Sequence, residues 1–165
     1  MTLLLLLTAC DVVPVPNNSP GQHPTSTEVS SGSLTIASWN LQIFGDAEVA
    51  NKASLDYIID QINNYDITAI QEIRDADGSS INVLMSGLPN YKAAVGTRVG
   101  RSTSKEQYAF IYKDNIQLLN SYTYNDLNDE FEREPYIATF NTGKMNITLV
   151  NIHTKPDNTT QEILA

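Results

Sequence analysis

Cysteine is all but absent from this chain. Cys10 stands alone among 165 residues, so no intrachain disulfide can form and a cysteine-based zinc site is excluded. Positive charge is scarce too: 10 Lys and Arg face 19 Asp and Glu, a formal net charge of -9 with a pI near 4.5. That balance argues against nucleic-acid binding driven by bulk charge. It leaves room for an enzyme that brings a metal and a local basic patch to a phosphate. Histidine occurs only at His23 and His153. The hydrophobic share of 41% suits a globular core, and the length fits one domain.

The chain opens on an apolar run, Leu3 to Leu7, followed by Thr8-Ala9-Cys10. The run is shorter than the about 7–15 residues of a secretory apolar region, and no Lys or Arg precedes it. It resembles the end of a bacterial lipoprotein signal, in which the Cys of a Leu-x-Ala-Cys box is lipidated and becomes the mature N-terminus. Residues 1–10 are thus expected to be a signal. Cys10 would then anchor the protein to a membrane surface without spanning it, in the bacterial cell envelope or outside the cell. An ordinary apolar leader is the other reading. Residues 11–33 carry Pro14, Pro16, Pro20 and Pro24 among Asn, Ser, Thr and Gly. Such a stretch buries too little apolar surface to offset its ordering entropy and reads as a flexible tether, with His23 solvated within it.

The remainder, residues 34–165, alternates strand and helix signals, an α/β pattern. Leu34 to Asn40 alternates apolar and small polar residues as a first strand. Asn51 to Tyr65 follows a helical period, with Leu55, Ile58, Ile59 and Ile62 on one side. The β-branched run Ile67 to Ile70 predicts a buried strand that delivers Glu72, Arg74 and Asp75 at its C-terminal end, where ligands bind in α/β sheets. Glu72 and Arg74 are two apart and share a face if the segment is extended. A carboxylate in a dry strand mouth requires a cation or donors, and a hard divalent metal prefers such oxygen. By itself the segment reads equally as a strand ending in a surface ion pair. A short helix is expected over Ser79 to Ser86, and strands over Tyr91 to Thr97, Gln107 to Lys113, Ile116 to Tyr124, Tyr136 to Asn141 and Asn146 to His153. Arg98, Arg101 and Lys105, beside glycine and hydroxyls, form a loop able to meet a phosphodiester backbone; a solvated basic loop is the plain alternative. Asp126 to Glu134 is an acidic run that repels nucleic acid. His153 leaves an apolar strand and can exchange a proton near neutrality.

Taken in order, Ala37 to Gly45, Ile70 to Asp75, Gly100-Arg101 with Lys105-Glu106-Gln107-Tyr108, Arg133-Glu134-Pro135, and Ile152-His153-Thr154 with Pro156 resemble the deoxyribonuclease I-like branch of the endonuclease/exonuclease/phosphatase superfamily. The resemblance covers Leu34 to Ala165. It implies half of a two-sheet α/β sandwich, a mixed and mostly antiparallel sheet with helices on one face. The activity implied is a phosphodiesterase, in first place an endonuclease on DNA, assisted by magnesium with calcium or manganese as alternatives. Glu72 would ligate the metal, with Asn40 helping to place the metal or the scissile phosphate. His153 would act as general acid or base, oriented and charged by Glu106. Arg133 would hold a phosphate, Arg74 would reach the DNA, and Arg101, Lys105 and Tyr108 would complete a nucleic-acid surface. The constellation requires Asn40, Glu72 and His153 to meet at the tips of three neighbouring strands.

Two positions depart from the pattern. Ser104 stands where a sugar-stacking tyrosine is usual, and Gln107 where an arginine is usual, which removes DNA contact surface. The superfamily's later Gly-Asp-x-Asn segment and terminal Asp-His pair have no counterpart here. The chain is therefore expected to be the N-terminal half of a longer domain, inactive without its C-terminal half and with one apolar sheet face uncovered. A lipid phosphodiesterase of the sphingomyelinase type and a non-catalytic, surface-anchored binding module remain alternatives.

Overall fold

The computed structural model describes residues 33–164, together with the backbone of residues 2–8. Cys10, His23 and most of the proline-bearing tether lie outside the described residues. Twelve elements follow in chain order: β1 (Thr2–Thr8), β2 (Ile36–Phe44), α1 (Asp46–Ala50), α2 (Lys52–Ile62), β3 (Ile67–Ile73), α3 (Ser79–Ser86), β4 (Tyr91–Val95), β5 (Gln107–Lys113), β6 (Gln117–Thr123), β7 (Tyr136–Asn141), β8 (Asn146–Ile152) and α4 (Thr159–Leu164). The predicted α3, β5 and β7 are found with their expected bounds, because each is a short patterned run closed by Gly, Asp or Asn. Helix α2 begins one residue later than its periodicity suggests. Asn51 is its cap, its side chain accepting the Ser54 N–H at 3.2 Å.

The strands form two four-stranded sheets, ordered β2-β3-β5-β4 and β1-β8-β7-β6. The first is mixed: β2 runs parallel to β3, while β5 is antiparallel to both β3 and β4. In the second, β6, β7 and β8 are antiparallel neighbours, and β1 lies parallel to β8. The leucine run read as a leader is thus laid along β8 as an edge strand.

Alternation along the strands explains the layering. On β5, Tyr108, Phe110 and Tyr112 face the second sheet, whereas Ala109 and Ile111 face the helices. Ile67 and Ala69 of β3 join the first group, and Ile70 joins the second. Across the gap, Tyr136, Ala138 and Phe140 of β7 and Ile147 and Leu149 of β8 fill the inter-sheet core. Its centre is aromatic, with ring centroids of Phe110 and Phe140 5.6 Å apart and those of Tyr112 and Phe140 5.1 Å apart. On the other side of the first sheet, Ile58 and Ile62 of α2 and Ile81 and Leu84 of α3 cover Ile70, Ile73 and Ile111.

This layering corrects one expectation. The sheet-to-sheet face is not left bare, because the chain carries strands of both sheets and closes that core itself. No helix among the described residues is long and apolar enough to cross a membrane.

Candidate active site

The site forms where both sheets end on the same side of the molecule, and backbone irregularity builds it. Both partners of the parallel β2–β3 pair slip register after Asn40, and the β3–β5 ladder slips between Ile70 and Ile73. Gln42, Ile43 and Glu72 all have positive φ, at 56°, 65° and 61°. A left-handed backbone costs about 1–3 kcal/mol for such residues, and more than usual for a β-branched side chain. The return is directional. The Ile43 N–H donates to Glu72 Oε2 at 3.0 Å, and the Gln42 N–H donates to Asn40 Oδ1 at 2.8 Å. Asn40 Nδ2 donates to Glu72 Oε1 at 3.0 Å. Glu72 and Arg74 do face the same site, with 3.7 Å between Arg74 Nη2 and Glu72 Oε2. A bulge at Glu72, rather than an extended strand, brings them there.

Burial pushes the Glu72 carboxyl upward, but the Asn40 hydrogen bond, His153, the Ile43 N–H and Arg74 together hold it below its ordinary 4.5. Glu72 therefore enters neutral solution as an ionised oxygen donor.

Glu106 follows the basic loop, which a Val99–Glu106 bridge closes at its base. Its side chain is fully buried and lies among three nitrogen-bearing groups. His153 Nδ1 is 2.8 Å from Oε1, Arg133 Nε is 3.2 Å from the same oxygen, and Arg74 Nη2 is 3.4 Å from Oε2. A carboxylate only accepts, so Nδ1 carries the proton and Nε2 is the ring position free for chemistry. That Nε2 faces Glu72, 3.7 Å from Oε1. Glu72, Glu106 and His153 each offer a ligand atom within 4.8 Å of the others.

Asn40, Glu72, Glu106 and His153 thus come together, but not on three neighbouring strands of one sheet. Asn40 and Glu72 lie on β2 and β3 of the first sheet, whereas His153 follows β8 of the second. The Asn40 amide oxygen accepts from Gln42 and its N–H faces Glu72.

The predicted nucleic-acid surface is changed more. Tyr108 is fully buried, its hydroxyl accepting the His153 backbone N–H at 3.0 Å, so it presents nothing to a nucleic acid. Burial raises its phenol far above the ordinary 10. Arg133 turns inward to Glu106 and donates to the His153 carbonyl at 3.3 Å. Arg101 pairs with Asp129 at 2.9 Å, a contact from the acidic run. Arg74 leans on both carboxylates and donates to the Ser104 hydroxyl. Lys105 is exposed on this flank. Beside Arg74 a cavity of about 450 Å³ is lined by Arg74 but also by Asp46, Glu48, Asp75 and Asp77.

Three supporting residues carry no motif. Arg98 ties the turn after β3 to the basic loop, donating to the carbonyls of Arg74, Asp75 and Lys105. Glu162 is buried on α4 and accepts the N–H of Glu132 at 3.1 Å and of Lys155 at 3.0 Å. It clips the segment before Arg133 to the segment after His153. Asn151 is buried on β8. It was detectable in principle, as a polar residue in the apolar row Ile147, Leu149; Arg98 stood out in the sequence as a loop cation for a phosphodiester but spends its guanidinium on carbonyls, and Glu162 had no such signal.

The sequence profile of the Endonuclease/Exonuclease/phosphatase family matches residues 37–161. The chain belongs to that family. Among curated relatives, the deoxyribonuclease-1 of Equus caballus is 37% identical over 145 residues, covering 79% of this chain and 51% of its own length. The chain therefore spans about half the length of the curated relatives it matches. Among solved structures, the endonuclease/exonuclease/phosphatase of Bacteroides vulgatus superposes with a TM-score of 0.57 at 17% identity, over 79% of this chain and 57% of that one. The TDP2 of D. rerio, solved with a single strand DNA product, gives 0.54 at 15% identity, over 78% and 49%. At these identities the two structures attest the fold: the mixed and antiparallel sheets here are half of that sandwich.

Proposed function

We propose that this chain carries the metal-and-proton half of a phosphodiester-hydrolysing site whose substrate is DNA. The observation that carries the reading is the Glu72–His153–Glu106 constellation, with an ionised Glu72 on one side of the His153 ring and a buried Glu106 on the other. Similarity to deoxyribonuclease-1 favours DNA over a lipid headgroup.

A divalent cation, magnesium first with calcium or manganese as alternatives, would take the ionised Glu72 carboxylate as its oxygen ligand; when bound it would stabilise negative charge developing on phosphate oxygens. The rest falls to the chain's own groups. Glu106 holds the Nδ1 proton and fixes the ring plane, leaving Nε2 to give or take a proton at the reacting oxygen. Arg74 and Arg133 hold Glu106 in place, and Arg74 also faces the substrate side. Lys105 is the exposed cation on the approach flank, and Arg101 joins it when a phosphate displaces Asp129. The acidic cavity beside Arg74 repels a phosphodiester.

Titration of Mn²⁺ into the 165-residue chain tests the reading. Paramagnetic broadening centred on His153 is expected, with binding at least about tenfold weaker in Glu72→Gln (about 1.4 kcal/mol). Binding that ignores Glu72→Gln overturns it. In plasmid nicking the chain alone is expected to be silent, since it holds no Gly-Asp-x-Asn or Asp-His segment. Nicking that survives Glu72→Ala would also sink this site.

A further inference from the structure

The candidate site straddles two sheets, so its geometry depends on how one sheet is registered against the other. Apolar sheet packing is non-directional and resists sliding only through shape. At the site end of the inter-sheet core the apolar rows stop, and polar groups continue them. On β3 the row Ile67, Ala69 continues to Gln71; on β8 the row Ile147, Leu149 continues to Asn151; on β5 the row Tyr112, Phe110 continues to Tyr108. All three polar residues are fully buried. Gln71 Nε2 donates to Asn151 Oδ1 at 2.5 Å. Asn151 Nδ2 donates to the carbonyls of Ile70 at 2.9 Å and Ala109 at 3.1 Å, on two strands of the opposite sheet. Tyr108 receives the His153 backbone N–H.

We propose that Gln71, Asn151 and Tyr108 form a register pin between the sheets, acting as positioning residues that hold His153 against Glu106 and Glu72. The Gln71–Asn151 bond, both Asn151 amide bonds and the Tyr108–His153 bond cross from one sheet to the other, one residue before Glu72 and two before His153, while Gln71 Nε2 also reaches Ser38 Oγ at 3.2 Å within its own sheet. Stability alone does not explain it. Gln71 Oε1 is buried without a partner, which an apolar side chain would avoid. Directional bonds specify one register where packing permits several. The functional meaning of the pin rests on the site reading above; its mechanical action does not.

The test uses the full chain labelled with ¹⁵N-histidine, in which His153 shares the spectrum only with His23. The readout is the downfield ring N–H of His153 bonded to Glu106, which needs neither metal nor catalysis. Gln71→Met removes one amide at near-constant volume, and Tyr108→Phe removes a single oxygen. Both are expected to retain a cooperative melt and to lose or broaden that resonance. Ile147→Val, an apolar change in the same core, is expected to leave it sharp. A sharp resonance in both folded variants overturns the pin. So does its absence from the unsubstituted chain, or loss of folding in both variants, which would make the trio a stability element. A chain that shows the pin yet binds Mn²⁺ without regard to Glu72 would keep this inference and discard the phosphodiesterase reading.

Discussion

Ile43 is the residue where local preference and local structure conflict most. A β-branched side chain held at φ 65° and 59% exposed gains little from burial and loses in backbone strain. What it obtains is an N–H aimed at Glu72. Ile43→Gly should therefore stabilise the chain by about 1 kcal/mol while preserving the Glu72 contact, because glycine adopts this conformation without a Cβ clash. Chemical denaturation measures it, and a loss of stability would mean the turn is not strained. Asp75 offers a second check. Its carboxylate accepts the Ser80 N–H at 2.6 Å, and that bond first, with partial burial opposing and Asp77 adding, lowers it from 3.8 to about 2. A lowered folded-state value gives stability that is complete above the unfolded value and lost as pH falls through the folded one. Asp75→Asn should thus lower the Tm at neutral pH, with the gap closing between about pH 4 and about pH 2. A gap that persists unchanged into acid would contradict it.

Among the elements, α4 contributes more than its six residues suggest. Glu162 links two loops that each end on a residue gripping Glu106. Replacing it with alanine strands two part-buried backbone N–H groups, at about 1–3 kcal/mol each where no water reaches them. Glu162→Ala is expected to cost about 2–4 kcal/mol in urea denaturation, while Glu162→Gln recovers part of that through its remaining oxygen. Equal losses in the two variants would assign the effect to packing instead of to the clip. The partners of Glu162 were not legible in the sequence. They lie 30 and 7 residues away, and the 30-residue contact leaves no periodic trace.

For the whole molecule, β1 is the open question of architecture against processing. The run Thr2–Thr8 pairs along β8, yet the same residues resemble a signal that is removed before Cys10. The two states exclude each other, since processing would take β1 away and bare the β8 edge. We propose lipidation. Expression in a bacterium that processes lipoproteins should yield a membrane-bound product lacking residues 1–9, and Cys10→Ser should abolish fatty-acid labelling. A chain recovered with Met1 intact and unlabelled would decide for the strand.

Element types were written locally. The alternation of Tyr108, Phe110 and Tyr112, the helical period of Leu55 to Ile62 and the cap at Asn51 are short-range patterns, and backbone geometry reads them directly. The ordered motifs likewise named Asn40, Glu72, Glu106 and His153, because chemistry restricts which side chains serve. Tertiary structure alone decided which sheet each belongs to, that Tyr108 turns inward, and that Arg101 and Arg133 already hold partners. Those outcomes depend on bulges that switch strand parity and on contacts between residues up to 81 positions apart. No local preference encodes such contacts, since their energy exists only once the two sheets have met.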